Sequence, residues 1–132
     1  MCSPPGVENA MRALIIEDET MIAWMLEEVL RGLDYDAIDI AASERDAVEA
    51  ASANCPDLVV ANCRLEDGSG IEAVRQICSD KHIPAVFVTG DEVAVRAAIE
   101  DPVVVAKPPS VAALAEAIAQ AKAGEALMFR TA

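Results

Sequence analysis

The chain has 132 residues, of which 54% are hydrophobic and 3% are aromatic, and it carries a formal net charge of −13 at pH 7. This length suits one domain, which would bury about two-thirds of its unfolded surface around an aliphatic core. The negative charge argues against direct binding to nucleic acid, because phosphates would repel it, and favours attraction of cations or of a basic protein surface. The four cysteines and the single histidine lack the spacing of a zinc site.

The two ends of the chain differ from its middle in composition. Residues 1–11 contain two prolines and one glycine, so we interpret them as a flexible N-terminal arm. They lack the basic start and apolar centre of a secretory signal, and no apolar run approaches the roughly 20 residues that span a bilayer. We therefore expect a cytoplasmic protein without membrane contact, with one domain at residues 12–122 and a frayed C-terminal tail at residues 123–132.

Within the domain, five apolar segments alternate with five segments of helical spacing. The predicted strands are residues 12–16, 35–41, 57–62, 84–89 and 103–106. The predicted helices are residues 20–33, 43–53, 69–79, 91–100 and 111–122. Right-handed crossovers between such strands give a parallel sheet that is covered by helices on both faces, so the predicted fold class is α/β.

Some local features of the helices can also be predicted. Hydroxyl side chains precede three helices as N-caps, and either Asp18 or Thr20 is placed to cap the first helix. The three capping serines are Ser43, Ser69 and Ser110. Trp24 lies beside the apolar stripe of the first helix, and we expect it to pack against the core. Residues 91–102 are poor in large apolar anchors, so we expect them to be the least ordered part of the domain.

The third predicted strand has the most informative ending. Its apolar run stops at Asn62, and an acidic, glycine-rich loop follows at residues 64–70 before the next helix begins. This pattern is typical of a buried parallel strand that delivers one residue to its carboxyl end. In open α/β sheets, ligands bind in the crevice at the carboxyl ends of the strands. Asn62 therefore lies where we expect the functional site.

Other strands also end in polar residues. Glu17 and Asp18 follow the first strand, Thr89 ends the fourth, and Lys107 follows the fifth. If the strand order is 2-1-3-4-5, these side chains converge with Asn62 on one pocket. Paired acids bind a hard cation such as Mg²⁺, whereas a hydroxyl and an ammonium suit the oxygens of a phosphoryl group.

From residue 12 to about residue 121, the chain resembles the receiver domain of response regulators in two-component signalling. The residues that carry the resemblance are Glu17, Asp18, Pro56 to Val59, Arg64 to Gly70, Thr89, Lys107 and Pro108. The resemblance implies a flavodoxin-like, doubly wound five-stranded sheet in the order 2-1-3-4-5, with helices on both faces.

The resemblance also implies roles for the site residues. In that family an aspartate at the position of Asn62 accepts a phosphoryl group from a sensor histidine kinase. Thr89 and Lys107 would bind the phosphoryl oxygens, and the Lys107–Pro108 peptide bond would be cis. The implied Mg²⁺ ligands are Glu17, Asp18, Asn62 and the backbone carbonyl of Arg64.

The chain departs from the family pattern at three places. Asn62 replaces the aspartate, and an amide oxygen is a poor nucleophile that cannot give a stable acyl phosphate. Val104, three residues before Lys107, occupies the position of the aromatic residue that acts with Thr89 as a switch. The connection between the last two strands, residues 91–102, is short and lacks the usual Ala-Gly-Ala run. We therefore expect impaired phosphotransfer and weakened Mg²⁺ binding.

The resulting prediction is a single-domain receiver of a phosphorelay that is not an enzyme and acts through protein–protein contact. Its partner would be a sensor histidine kinase or another signalling protein, and the chain would be a monomer or a weak dimer. One alternative is an active receiver with another acceptor, such as Asp67, and another is an engineered Asp-to-Asn form of an ordinary receiver. A haloacid-type phosphatase is disfavoured because it needs the missing aspartate, and a flavin-binding module because the turn after the first strand is acidic.

Overall fold

The computed structural model describes residues 11–130, which form a parallel sheet between two helical layers. The strands of the sheet are β1 (Arg12–Ile16), β2 (Ala37–Ala41), β3 (Leu58–Ala61), β4 (Ala85–Thr89) and β6 (Val104–Ala106). The helices are α1 (Thr20–Gly32), α2 (Glu44–Ala53), α3 (Gly70–Ile77), α4 (Glu92–Ala98) and α5 (Val111–Ala123). Two short strands, β5 (Ile99–Glu100) and β7 (Met128–Phe129), pair separately from the sheet.

The order of the large sheet is β2-β1-β3-β4-β6, and every pairing in it is parallel. This is the doubly wound, flavodoxin-like α/β arrangement expected from the sequence. All the residues of β3 and β4 are buried, because helices cover both faces of the central strands. This burial explains why the sequences of β3 and β4 are continuous apolar runs and do not alternate with polar residues.

Alternate residues of each strand enter one of two apolar clusters. On one face, the sheet packs against Leu26 and Leu30 of α1 and against Leu114 and Ile118 of α5. On the other face, α2, α3 and α4 contribute a cluster that includes Ala47, Val74 and Val95. The two layers fix the sheet between them, so the carboxyl ends of its strands are held in register at one edge.

Four helices begin at a side-chain cap. The side chains of these N-cap residues accept the backbone N–H of the third helical residue, which is otherwise without a partner. The capping residues are Ser43, Ser69, Asp91 and Ser110. The prediction of Asp18 or Thr20 as the cap of α1 is wrong, because Glu19 is the N-cap and makes no side-chain cap bond. Asp18 instead accepts the backbone N–H of Glu66 at 2.6 Å.

The expected packing of Trp24 is also wrong, since this residue is 59% exposed. The buried positions of α1 are Ala23, Leu26 and Leu30. At about 100° per residue, position 24 points roughly opposite to position 26. The apolar stripe itself is present, because Ile22 and Val29 pack against the same cluster as Leu26, and only the expected packing of Trp24 beside it fails.

The C-terminal tail is not frayed through Arg130. Phe129 pairs with Ile99 and Met128 with Glu100 in the antiparallel β5–β7 ribbon. The expected lack of anchors in residues 91–102 is wrong as well, because Val95 and Ile99 are fully buried. The arm predicted at residues 1–11 lies outside the described residues, apart from Met11. Within residues 11–130, no helix has the length and apolar character needed to cross a membrane.

Candidate functional site

The register of the sheet brings the predicted polar residues to one edge. Glu17 follows β1 and Asn62 follows β3, and the backbone N–H of Asn62 donates to Ile16 O at 2.9 Å. Thr89 ends β4, and its carbonyl oxygen accepts the N–H of Lys107 at 3.2 Å. The strands thus place Glu17, Asn62, Thr89 and Lys107 around the same crevice, as the strand order predicts.

The side chain of Asn62 is the centre of the site and is only 8% exposed. Its Nδ2 donates to the backbone carbonyl of Arg64 at 2.8 Å and to Glu17 Oε2 at 3.4 Å. Both partners are acceptors, so the amide presents its nitrogen, and not its oxygen, to them. Asn62 therefore acts in this structure as a hydrogen-bond donor between two oxygens.

The loop after β3 folds tightly against Asn62. Gly70 donates its N–H to Cys63 O at 2.9 Å, and a Cβ atom at position 70 would lie 1.8 Å from the carbonyl oxygen of Asn62. Gly68 has a φ of 101°, which L side chains rarely adopt. Gly70 is needed for the close approach to Asn62, whereas Gly68 is needed for the turn and for its close approach to Glu44.

Glu17 and Lys107 form an ion pair beside Asn62. Lys107 Nζ lies 3.1 Å from Glu17 Oε1, and the Glu17 side chain is 1% exposed. Burial raises the pKa of Glu17 above its ordinary value, and the Glu19 backbone N–H and the Lys107 ammonium only partly oppose this shift. The ion pair lacks hydrogen-bond geometry at Oε1, whereas Oε2 accepts the Glu19 N–H at 3.0 Å.

Lys107 is held by a second carboxylate. Its Nζ donates to Glu19 Oε1 at 2.7 Å, and the Lys107–Pro108 bond is cis, as the resemblance implied. Burial alone would lower the pKa of Lys107, but the carboxylates of Glu19 and Glu17 outweigh it and raise the pKa. Lys107 is therefore a protonated cation between two acids. Sequence reasoning did not single out Glu19 as its partner.

The arrangement of these groups does not fit a bound Mg²⁺ ion. Such an ion takes oxygen ligands, but Asn62 directs its amide nitrogen at the Arg64 carbonyl and at Glu17, two of the predicted ligands. Lys107 neutralises Glu17, and Asp18 accepts the Glu66 N–H. Across residues 11–130, the carboxylates, thiols and imidazole do not form a group of three that could hold a metal. A cation could enter only after the Asn62 amide had turned and given up both acceptors.

Thr89 is engaged by residues other than Asn62. Its Oγ1 accepts the Asp91 backbone N–H at 3.0 Å and lies 3.0 Å from the thiol of Cys63. Cys63 is a free, buried cysteine that directly follows Asn62. Sequence reasoning missed this contact because Cys63 and Thr89 are 26 positions apart and nothing in the sequence marks Cys63 as a partner of Thr89. The hydroxyl that was expected to face a phosphoryl group therefore bonds to neighbouring protein atoms.

A second missed contact joins the site to α4. Arg64 Nε lies 2.6 Å from Asp91 Oδ2, and Asp91 is also the N-cap of α4. The hydrogen bond from Arg64 lowers the pKa of Asp91, and the same bond raises the pKa of Arg64. At the switch position, Val104 is a half-buried residue that pairs with Phe87 of β4, so no aromatic side chain is available there to exchange places with Thr89.

A doubly wound sheet with acids, a lysine and a threonine at its carboxyl edge defines the receiver class of signalling domain. The family model described as "Response regulator receiver domain" matches residues 13–119. This chain belongs to that family, and so to the proteins of two-component signalling.

Similar proteins include the phyllosphere-induced regulator PhyR of Methylorubrum extorquens, which is 37% identical over 86 residues, covering 64% of this chain and 32% of PhyR. The solution structure of the Erythrobacter litoralis PhyR receiver domain is 32% identical, with a TM-score of 0.79 and coverage of 91% of this chain and 95% of that one. The crystal structure of the anti-anti-sigma factor PhyR from Bartonella quintana is 31% identical, with a TM-score of 0.75 and coverage of 86% of this chain and 47% of that one. The chain thus spans about a third of the length of the curated PhyR protein.

Proposed function

We propose that this chain is a receiver that is not phosphorylated at position 62 and that signals in the cytoplasm through protein–protein contact rather than as an enzyme. The observation that supports this proposal is the identity and orientation of Asn62. An amide cannot form a stable acyl phosphate, and its nitrogen is committed to Arg64 O and Glu17.

The remaining site residues support a fixed arrangement. Lys107 is paired with Glu17 and Glu19, and Thr89 bonds to Cys63 and the Asp91 backbone. In a phosphorylated receiver the ammonium and the hydroxyl would both turn to the phosphoryl group. Here each group already has protein partners, which supports signalling without a covalent change at position 62.

We propose that Mg²⁺ binding is weak for the same reason. A cation would have to displace the Asn62 amide, and Asn62 also contributes no charge, whereas the affinity for hard cations rises with the number of charged ligands. The retained acids, Glu17 and Asp18, and the Arg64 carbonyl would be the remaining ligands.

The partner is proposed to be a sensor histidine kinase or another signalling protein with a basic contact surface. The net charge of −13 supports a basic partner, because opposite charges accelerate and orient association. The same charge disfavours nucleic acid and anionic membranes. The similar PhyR of Bartonella quintana is titled an anti-anti-sigma factor, which is consistent with a receiver that works by binding other proteins.

The alternative acceptor, Asp67, is less well supported. Its loop is tied to the start of α2, because Asp67 O accepts the Glu44 N–H at 3.1 Å and Glu44 Oε1 accepts the Ser69 N–H at 2.9 Å. Asp67 itself is exposed, whereas Lys107 is bound to two acids on the β1 side of the site. No contact within residues 11–130 connects the Asp67 carboxylate to Lys107 or Thr89.

The test is treatment with a small phosphodonor, such as acetyl phosphate, followed by intact mass measurement and peptide mapping. We expect no adduct on the unmodified chain or on Asn62→Ala, and an adduct at position 62 in Asn62→Asp with Mg²⁺. An adduct on the unmodified chain that disappears in Asp67→Asn would replace our proposal with the alternative. An adduct on the unmodified chain elsewhere would also overturn it.

A further inference from the structure

A C-terminal segment, residues 127–130, crosses the end of α4, and we call this segment the strap. Its central residues form β7 and pair with β5, which directly follows α4. Arg130 then donates its backbone N–H to Ala98 O at 2.8 Å and its Nε to Arg96 O at 3.2 Å. The last carbonyls of a helix have no partners within the helix. The strap therefore supplies partners for two carbonyls at the end of α4.

The strap also packs against the apolar cluster beneath it. Phe129 is half-buried in the cluster that contains the fully buried Val95 and Ile99. The guanidinium of Arg75 on α3 lies 4.6 Å from the centroid of the Phe129 ring, which is within cation–π range. Met128, the residue before Phe129, is 63% exposed. The Phe129 side chain thus connects the strap to α3 through Arg75, and to α4 and β5 through the apolar cluster.

The opposite end of α4 is attached to the functional site. Asp91 caps the helix by accepting the Ala94 N–H at 3.1 Å, and its other oxygen lies 2.6 Å from Arg64 Nε. The Asp91 backbone N–H donates to Thr89 Oγ1, which contacts the thiol of Cys63. The first turn of α4 is therefore bound to the residues that follow Asn62.

The helix between these two attachments has little stability of its own. It contains seven residues, and only Val95 among them is buried. An isolated helix of that length does not persist in water, because the cost of nucleation exceeds what so few hydrogen bonds return. The attachments at its two ends consequently hold α4 in place.

We propose that the strap and the Asn62 site are coupled through α4. Release of the strap loosens α4 and frees Thr89 and Cys63 at the site, and release of Asp91 from Arg64 loosens the strap. Coupling of this kind is reciprocal, because both attachments stabilise the same folded helix. This inference goes beyond the proposed function, since it connects the C-terminal end of the domain to the site without any phosphorylation.

The first test compares Phe129→Ala with Met128→Ala in the full chain. Removal of the Phe129 ring should speed amide hydrogen exchange in α4, and the reaction of the Cys63 thiol with a disulfide reagent, by at least about tenfold, as expected for loss of a partly buried aromatic side chain. The exposed Met128→Ala should change neither rate. Exchange at Val59 and Val60 reports global stability. Faster exchange in α4 with an unchanged rate at Cys63 would overturn the coupling.

The reverse test starts from the site and does not depend on Phe129. Arg64→Gln removes the ion pair to Asp91 and, because the Arg64 side chain is 74% exposed, leaves the core intact. We expect exchange of the Arg130 amide, which bonds to Ala98 O, to become several-fold faster. The matched control is Arg45→Gln, which removes the exposed pair to Glu49 on α2. An Arg130 amide that exchanges alike in both variants would overturn the proposal, even if Phe129→Ala does not fold.

Discussion

Lys107 Nζ and Glu17 Oε1 lie 3.1 Å apart at the carboxyl edge of the sheet, where the glutamate side chain is 1% exposed. Two opposite charges at this depth depend on each other, because either one alone would be a poorly solvated charge. The ion pair offsets only part of the cost of burying Glu17, and the behaviour of Glu17 with pH follows from that balance.

Glu17 should make stability depend on pH in the acid range. Its pKa is raised from an ordinary value of 4.5, first of all by burial. A folded state with the higher pKa holds the proton more tightly, so this contribution to stability is present at low pH and is lost as pH rises from 4.5 through the raised pKa. As pH rises over that range, the free energy of unfolding in urea should fall less for Glu17→Gln than for the unmodified chain. The variant Glu116→Gln, at an exposed position, serves as the control and should follow the unmodified chain.

The Asn62→Asp substitution should make the fold dependent on Mg²⁺. It removes the donor that bridges Arg64 O and Glu17 Oε2 and adds a third carboxylate to the site. Without metal, we expect a loss of about 1–3 kcal/mol in the free energy of unfolding, from a buried acceptor left unpaired and from charge repulsion. Addition of Mg²⁺ should recover much of this loss in Asn62→Asp and change the free energy of unfolding of the unmodified chain little.

The control for that comparison is Asn54→Asp, which adds the same charge at an exposed position after α2. Thermal unfolding of the unmodified chain, Asn62→Asp and Asn54→Asp, each with Mg²⁺ and with EDTA, separates the effect of added charge from the effect of metal binding. If Mg²⁺ stabilises the unmodified chain as strongly as it stabilises Asn62→Asp, the amide does not obstruct the cation as we infer.

Gly70→Ala should be strongly destabilising because there is no room for a methyl group. A Cβ atom at this position would lie 1.8 Å from the backbone oxygen of Asn62. Overpacking against backbone typically costs about 1–3 kcal/mol or more, since the neighbour cannot rotate away. Gly90→Ala provides the matched comparison, because its Cβ would meet nothing within 4 Å. Equal unfolding midpoints for the two variants in urea would show that the loop can move away from Asn62.

The chain should be monomeric at low ionic strength. Two copies would each bring a charge of −13, and that repulsion opposes the contact of exposed apolar side chains such as Val93 and Val111. Salt screens the repulsion, so any self-association should strengthen as ionic strength rises. Sedimentation velocity at low and at physiological salt measures this directly. A dimer that is tightest at low salt would contradict the expectation.

The large sheet could be predicted from the sequence because its central strands, β3 and β4, are continuous apolar runs with clear endings, as in the run that ends at Asn62. The β5–β7 ribbon could not, because two-residue strands such as Met128–Phe129 have no periodicity to detect. The site residues Glu17, Asn62 and Lys107 were placed correctly at the sheet edge. The sequence could not predict the hydrogen-bond partner of each polar side chain, since the contact of Asn62 with Glu17 joins positions 45 residues apart.

The sheet order also has a consequence for the growing chain during synthesis. Among the strands of residues 11–130, β1 is made first, yet it lies between β2 and β3, and Ile16 meets its partner Ala61 only after the whole of α2 has been translated. Until then, one edge of an almost wholly apolar strand has no neighbour, which is the situation that favours pairing with another chain. High contact order of this kind slows folding, so the interval between synthesis of β1 and β3 is when we expect a nascent chain to need a chaperone.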